Sequence, residues 1–233
     1  DGIDIFFSPS YILPFRIPKE IKTAVAIHDI SYEAHPEWYS WQNRILLRWV
    51  SKKSAKKADI IFACSEFTKN EILKYYRVKP EKIFVIPLAA ENKFRPIQDE
   101  QKLKKDKFIF YVGAIFQRRF IPQIIEAFKK IKNKLPDYRL LIAGPNYTQP
   151  FIEIKNEDGV IYKDYIKEED LVYLYNSAEL FIWLSSYEGF GLPPLEAMAC
   201  GTPVLSTKKT SLAEVLGDYP IWIDSPEDIS EIS

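Results

Sequence analysis

Two glutamates, two adjacent arginines and one histidine are the residues of this chain best suited by type and spacing to do chemistry. Glu188 and Glu196 bracket the string Glu188-Gly-Phe-Gly-Leu-Pro-Pro-Leu-Glu196. Glycines on both sides of Phe190 allow strained backbone angles and expose N–H groups. Pro193 and Pro194 open a helix, with Glu196 expected in its first turn. A loop carboxylate and a helix carboxylate can then reach one ligand from two directions. Ionised carboxylates only accept, which suits hydroxyl-rich partners such as sugars or ribose. Taken singly, Glu196 could simply complement the helix dipole and Glu188 could be a solvated loop residue. Arg118 and Arg119 stand just before a helix start at Pro122, where guanidinium forks and helix amides converge on phosphate; a wet surface pair is the alternative. His28, one of two histidines, ends the apolar run Thr23–Ile27 and is placed to face a crevice, although a lone His is often structural. His35, before Pro36, reads as surface.

These residues follow short apolar runs that have the character of buried strands. In the first part the runs are Ile3–Phe7, Thr23–Ile27, Asp59–Ala63 and Lys82–Ile86, continuous rather than alternating, as in a parallel sheet covered on both faces. Ser40–Lys57 reads as a helix with Ile45, Leu46, Trp49, Val50 and Ala58 at helical spacing, and Ser65 caps a second helix through Tyr76. In the second part, strands are expected at Phe108–Val112, Arg139–Ala143, Val160–Tyr162, Leu180–Leu184 and Pro203–Ser206. Helices are expected at Pro122–Leu135, Glu168–Ala178 and Pro193–Cys200. This alternation predicts two doubly wound α/β units, in which ligands sit beyond the carboxyl ends of strands. Only Gly2 of the 8 glycines lies in the first hundred residues; with Phe94-Arg95-Pro96-Ile97 and the polar QDEQKLKKDK reading as a linker, the division is expected at 1–97 and 98–233.

The 233 residues are 47% hydrophobic, enough for sizeable cores, which excludes disorder as the main state. With 32 basic against 32 acidic side chains the chain is not a general nucleic-acid binder. No apolar run approaches the roughly 20 residues of a membrane span, and no leader pattern opens the chain, which points to the cytoplasm. Cys64 and Cys200 read as buried reduced thiols. The basic residues Arg44, Arg48, Lys52 and Lys56 form an i, i+4 stripe, ordinarily a wet helix face but able to touch anionic membrane lipid.

The long string from Tyr187 to Val204 closely resembles the E-x7-E signature of retaining glycosyltransferases of the GT-B fold, particularly family 4. The resemblance extends through Ile166–Ser186, Ser211–Gly217 and the loop HDISYEAHPEWY. It implies two Rossmann-like domains facing a cleft, the first acceptor-side and the second binding a nucleotide-sugar donor. It implies donor-sugar contact by Glu188, ribose contact by Glu196, and backbone contacts to sugar or diphosphate at Phe190, Gly191 and Leu192. Arg118 and Arg119 would grip the diphosphate, Arg119 standing where Lys is usual, and His28 would approach the donor sugar and stabilise the transition state. Such proteins usually have an earlier N-terminal portion and a last C-terminal helix not found between Asp1 and Ser233, so the chain reads as cut at both ends.

The implied activity is transfer of a sugar from a nucleotide diphosphate-sugar to an acceptor hydroxyl with retention, as in polysaccharide or glycoconjugate synthesis. The acceptor would be a saccharide or lipid-linked saccharide, with peripheral contact at the inner membrane face. No Asp-x-Asp metal motif is found, Glu168-Glu169-Asp170 reading as a helix start, so neither metal nor other cofactor is expected. Base recognition is expected near Tyr165 and Ile166. The competing possibilities are a non-catalytic sugar-nucleotide-binding scaffold of the same fold and a GT-B nucleotide-sugar epimerase.

Overall fold

The computed structural model describes residues 2–98 and 107–233. The expected linker QDEQKLKKDK falls largely outside them. The chain forms two compact units, Asp1–Leu88 with Tyr187–Phe190, and Ala89–Ser186 with Gly191–Ser233. The first unit therefore ends at Leu88 rather than at residue 97. Phe94 is the physical reason: its buried ring packs in the second unit's core, 5.7 Å edge-on to Tyr175.

In the first unit the chain runs β1 (Ile5–Ser8), β2 (Lys22–Ile27), α1 (Ser31–Ala34), α2 (Trp41–Lys57), β3 (Ile60–Ala63), α3 (Glu66–Tyr76) and β4 (Ile83–Val85). The four strands are parallel and lie in chain order. Val25, Ile27, Ile61, Ala63 and Ile72 are buried, each large aliphatic contributing roughly 1.5–3 kcal/mol by leaving water.

Helix α2 departs from expectation. Of the residues at helical spacing, Val50 and Ala58 are buried as expected, but Ile45, Leu46 and Trp49 are exposed, and Ser51, Ser54 and Ala55 are buried instead. Hydrogen bonding explains the inversion. Ser51 Oγ accepts from Tyr32 and Tyr76 hydroxyls at 2.6 and 2.9 Å. Ser54 Oγ accepts from Leu13 N–H at 2.9 Å and donates to the Val50 carbonyl. Small hydroxyls with buried partners thus take the inward face.

The second unit contains β5 (Phe108–Val112), α4 (Ile121–Ile131), β6 (Arg139–Ala143), β7 (Val160–Lys163), α5 (Glu168–Ser177), β8 (Leu180–Trp183), α6 (Leu192–Ala199), β9 (Val204–Thr207), α7 (Ser211–Leu216), β10 (Ile221–Ile223) and α8 (Ile229–Ile232). Its six parallel strands are ordered β10-β9-β8-β5-β6-β7. The chain winds outward from β5 through β6 to β7, then resumes at β8 on the other side of β5. The order reverses there, and the loops after β5 and β8 diverge at the place where open α/β sheets hold ligands.

Helix α4 ends at Ile131 rather than Leu135; it buries Ile124 and Phe128 as expected, with Ile121 and Ala127 beside them, while Ile125 and Ile131 are half-buried. Ser65 caps α3, its Oγ accepting from Thr68 N–H at 3.0 Å. Ser51→Ala removes the shared acceptor of two buried phenols, the Tyr76 pKa having been pushed up to about 12 by burial. It is expected to destabilise the first unit by about 1–3 kcal/mol, measured by urea denaturation.

Candidate active site

The loop leaving β5 forms a 3-10 turn at Gln117–Arg119 and passes into α4. The two arginines of this turn are not equivalent. Arg119 is buried, its guanidinium carbon 4.0 Å from the centroid of the Trp183 ring; Arg118 is half-buried, 4.4 Å from the Phe116 ring. The Trp183 indole is stacked on Tyr111 at 5.4 Å. Burial raises the Tyr111 phenol to about 12, while the positive charges of Arg119 and Arg118 pull it back. The expected adjacent fork therefore resolves into one guanidinium packed against aromatic rings and one more accessible. Ser186 N–H donates to the Arg118 carbonyl at 3.1 Å, tying the loop after β8 to the arginine turn.

Gly191 precedes α6 as its N-cap, with φ of 104°, and a Cβ there would stand 2.6 Å from Leu212 Cδ2. Pro193 and Pro194 occupy the second and third helical positions and have no N–H. The amides that this helix start can present to an anion are consequently those of Gly191 and Leu192. Glu196 lies in the second turn of α6, not in the first as expected, because the helix begins at Leu192. Complementing the helix dipole is thus a poor account of it. Tyr175, from α5, donates to Glu196 Oε2 at 3.0 Å. Burial raises the Glu196 pKa, while the Tyr175 hydrogen bond and the charge of Lys93 oppose the rise. Lys93 itself pairs with Glu91 and with Glu168 of the acidic first turn of α5.

In the first unit, the Glu188 loop is fixed through Gly189. Its carbonyl accepts from Ser65 Oγ at 2.7 Å, Cys64 Sγ at 3.1 Å and Thr68 Oγ1 at 3.1 Å. The His28 carbonyl lies alongside, accepting from Cys64 Sγ at 3.0 Å and Thr68 Oγ1 at 3.3 Å. A Cβ on residue 189 would fall 1.9 Å from that His28 oxygen. Three hydrogens from Cys64, Ser65 and Thr68 thus serve two carbonyls. Burial raises the Cys64 pKa, so the thiol stays protonated and donates. Tyr187 packs edge-on against His35, Phe67 and Trp38, which makes His35 a packing residue rather than a plain surface one.

His28 Nε2 lies 2.9 Å from the Pro9 carbonyl, which places the ring proton on Nε2 and leaves Nδ1 as acceptor in the neutral ring. Glu188 is half-buried and Phe190 buried. The structure thus brings His28, Glu188 and Phe190 to the first unit, and Arg118, Arg119, Gly191, Leu192 and Glu196 to the second. A cavity of about 420 Å³ is lined by Tyr165, Ile166 and Lys163 at the end of β7. A more apolar one of about 380 Å³ lies beneath α4, away from the motif loops. Among the described residues no group of three or more His, Cys, Asp or Glu could hold a metal ion. The Ser65–Thr68 clamp and the Tyr175 contact are not evident in the sequence, although Ser65 signals itself as a capping residue.

Because the Glu196 carboxyl has its folded pKa raised above its ordinary 4.5, the folded chain binds that proton more tightly than the unfolded one. Its stabilisation is complete below the unfolded pKa and is lost as pH rises through the folded one. Glu196→Gln keeps an acceptor for Tyr175 and is expected to raise the melting temperature at neutral pH. That advantage shrinks in acid, as thermal unfolding across pH will show.

Comparison with known proteins supplies the lineage of this arrangement. Residues 93–233 match the model of glycosyl transferases group 1, and residues 2–91 that of glycosyltransferase family 4. The chain is 31% identical to O-antigen chain mannosyltransferase B of Escherichia coli over 98% of itself and 63% of that protein. It is 30% identical to the serotype-specific mannosyltransferase WbdA of Escherichia coli over 91% of itself and 28% of that protein. It thus spans less than two-thirds of these curated relatives. Among solved structures it resembles WaaG, a glycosyltransferase involved in lipopolysaccharide biosynthesis, with a TM-score of 0.70, 19% identity, and 90% and 64% of the two chains covered. It also resembles Anabaena HepE in complex with UDP-glucose, with a TM-score of 0.69, 18% identity, and 91% and 62% covered. With two parallel-sheet α/β domains of the GT-B type and both family models matched along its length, the chain belongs to the family 4 glycosyltransferases.

Proposed function

We propose that this protein transfers a mannosyl residue from a nucleotide diphosphate-mannose to a hydroxyl of a saccharide or lipid-linked saccharide, with retention at the anomeric carbon, in the synthesis of O-antigen or a similar polysaccharide. Mannose is favoured by the mannosyltransferase relatives that match most of the chain. The observation that supports catalysis rather than mere binding is the Gly189 carbonyl, immobilised by three donors next to Glu188.

In this assignment the second unit takes the nucleotide diphosphate. Glu196, oriented by Tyr175, accepts from the ribose hydroxyls; Arg118, with Arg119 behind it and the Gly191 and Leu192 amides, meets the diphosphate. The base stacks near Tyr165, 74% exposed beside its cavity. Glu188 accepts from the sugar's hydroxyls, and His28 Nδ1 accepts from another. The bond from the anomeric carbon to the phosphate oxygen breaks as the acceptor oxygen bonds to the same face of that carbon. The acceptor proton passes to the departing phosphate, whose growing charge the guanidinium groups offset; such preorganised electrostatics supply several kcal/mol. That charge compensation requires no divalent ion.

Incubation of the full-length protein with GDP-mannose and a mannosylated acceptor, in the presence of chelator, is expected to give an α-linked product. Hydrolysis or epimerisation of donor without acceptor, or a strict metal requirement, would overturn the assignment. Glu188→Ala is expected to reduce kcat by on the order of a hundredfold or more while nucleoside diphosphate affinity changes little. Thr68→Val, which keeps shape but removes one donor from the clamp, is expected to lower kcat roughly tenfold with nucleotide binding unchanged; Thr68→Ser, which retains the hydroxyl, restores it.

A further inference from the structure

A buried charge is costly to keep away from water, and Arg119 is the only lysine or arginine that is buried among the described residues. Its guanidinium carbon lies 4.0 Å from the centroid of the Trp183 ring. Trp183 ends β8, is 2% exposed, and stacks on Tyr111 at 5.4 Å and on Phe181 at 6.1 Å, with interplanar angles of 16° and 17°. Gly113, in the turn leaving β5, is what lets the indole come so close to that turn. A Cβ there would stand 2.9 Å from Trp183 Cη2 and 3.0 Å from Cζ3.

Core packing alone does not account for an indole at this place. Its Nε1 is buried and has no hydrogen-bond partner among the described residues. Phenylalanine would fill an apolar layer without stranding a donor. What the indole adds is the best cation-binding face of the aromatic side chains. A planar guanidinium can lie flat on that face and keep its N–H edges for an anion in its own plane. A lysine ammonium is a compact, strongly hydrated point charge with no plane to stack. The turn is also held from the other side, because Ser186 N–H, three residues after Trp183, donates to the Arg118 carbonyl at 3.1 Å. Strand β8 therefore supplies both a backbone tie and an aromatic bed to the same arginine turn.

We propose that Trp183 is a positioning residue matched to Arg119: its face fixes a guanidinium, and would not fix an ammonium, at the turn before α4, so that the N–H edges meet the donor diphosphate. This role rests on the assignment of that turn to the diphosphate. GDP affinity is measured by calorimetry for the full-length protein and for its Trp183→Leu, Arg119→Lys and doubly substituted variants. Guanosine, which has no phosphate, is measured alongside by competition. Each single substitution is expected to weaken GDP binding roughly tenfold and to leave guanosine binding unchanged. The double variant is expected to bind GDP no more weakly than either single one, because both changes remove the same contact. Trp183→Phe, which keeps an aromatic face and lacks the N–H, is expected to recover most of the GDP affinity at the wild-type melting temperature. Losses that multiply in the double variant, an equal loss of guanosine binding, or a Trp183→Phe variant as impaired as Trp183→Leu would each overturn the pairing. Should Trp183→Leu fail to fold, a tenfold loss in Trp183→Phe, or wild-type GDP affinity in Arg119→Lys, overturns it equally. A wild-type protein that binds no GDP would instead sink the donor assignment on which the role stands.

Discussion

The carbonyl oxygen of His28 occupies the space in which any side chain on residue 189 would have to lie. A Cβ there would approach to 1.9 Å, far inside van der Waals contact, so only glycine lets the backbone pass. The closeness is not idle. It brings the Gly189 and His28 carbonyls under three donors, Cys64, Ser65 and Thr68, all at the start of α3. Ser65 serves twice, accepting from Thr68 N–H as helix cap and donating to Gly189. The backbone beside Glu188 is thus placed by a steric exclusion and a capped helix.

The second unit meets a different constraint, the cost of keeping charge away from water. Arg119 is buried, and the face of Trp183 offers its guanidinium one electrostatic partner. Glu196 is partly desolvated, with its pKa raised, and Tyr175 offsets part of that penalty by donating to it. Burial, with Glu196 beside it, keeps the Tyr175 phenol protonated and therefore a donor. Cation and carboxylate are each held by aromatic residues projecting from the core, so a polyanionic hydroxylated ligand would meet groups already oriented.

Much of this is legible in the sequence. Strands β5 and β6 fall at the predicted residues, because a strand covered on both faces writes itself as an uninterrupted apolar run. The glutamate string marked its own importance through two glycines and two prolines, whose backbone restrictions are intrinsic. Strand β10, three residues long, lacked a run of sufficient length to declare itself. The unequal roles of Arg118 and Arg119 were also hidden, since neighbours in sequence carry no record of which one packs against an indole.

Helix α2 marks the boundary between the two kinds of information. Its residues fixed a helix, and its length, by propensity and local spacing alone. They could not say which side faces inward, because periodicity reports burial only when the core is apolar. Ser51 and Ser54 are drawn in by Tyr32, Tyr76 and the Leu13 amide, partners 19, 25 and 41 residues away in the chain. Local sequence determines where the backbone coils and turns. The tertiary structure decides which polar groups find partners, and so which face of a helix can leave water.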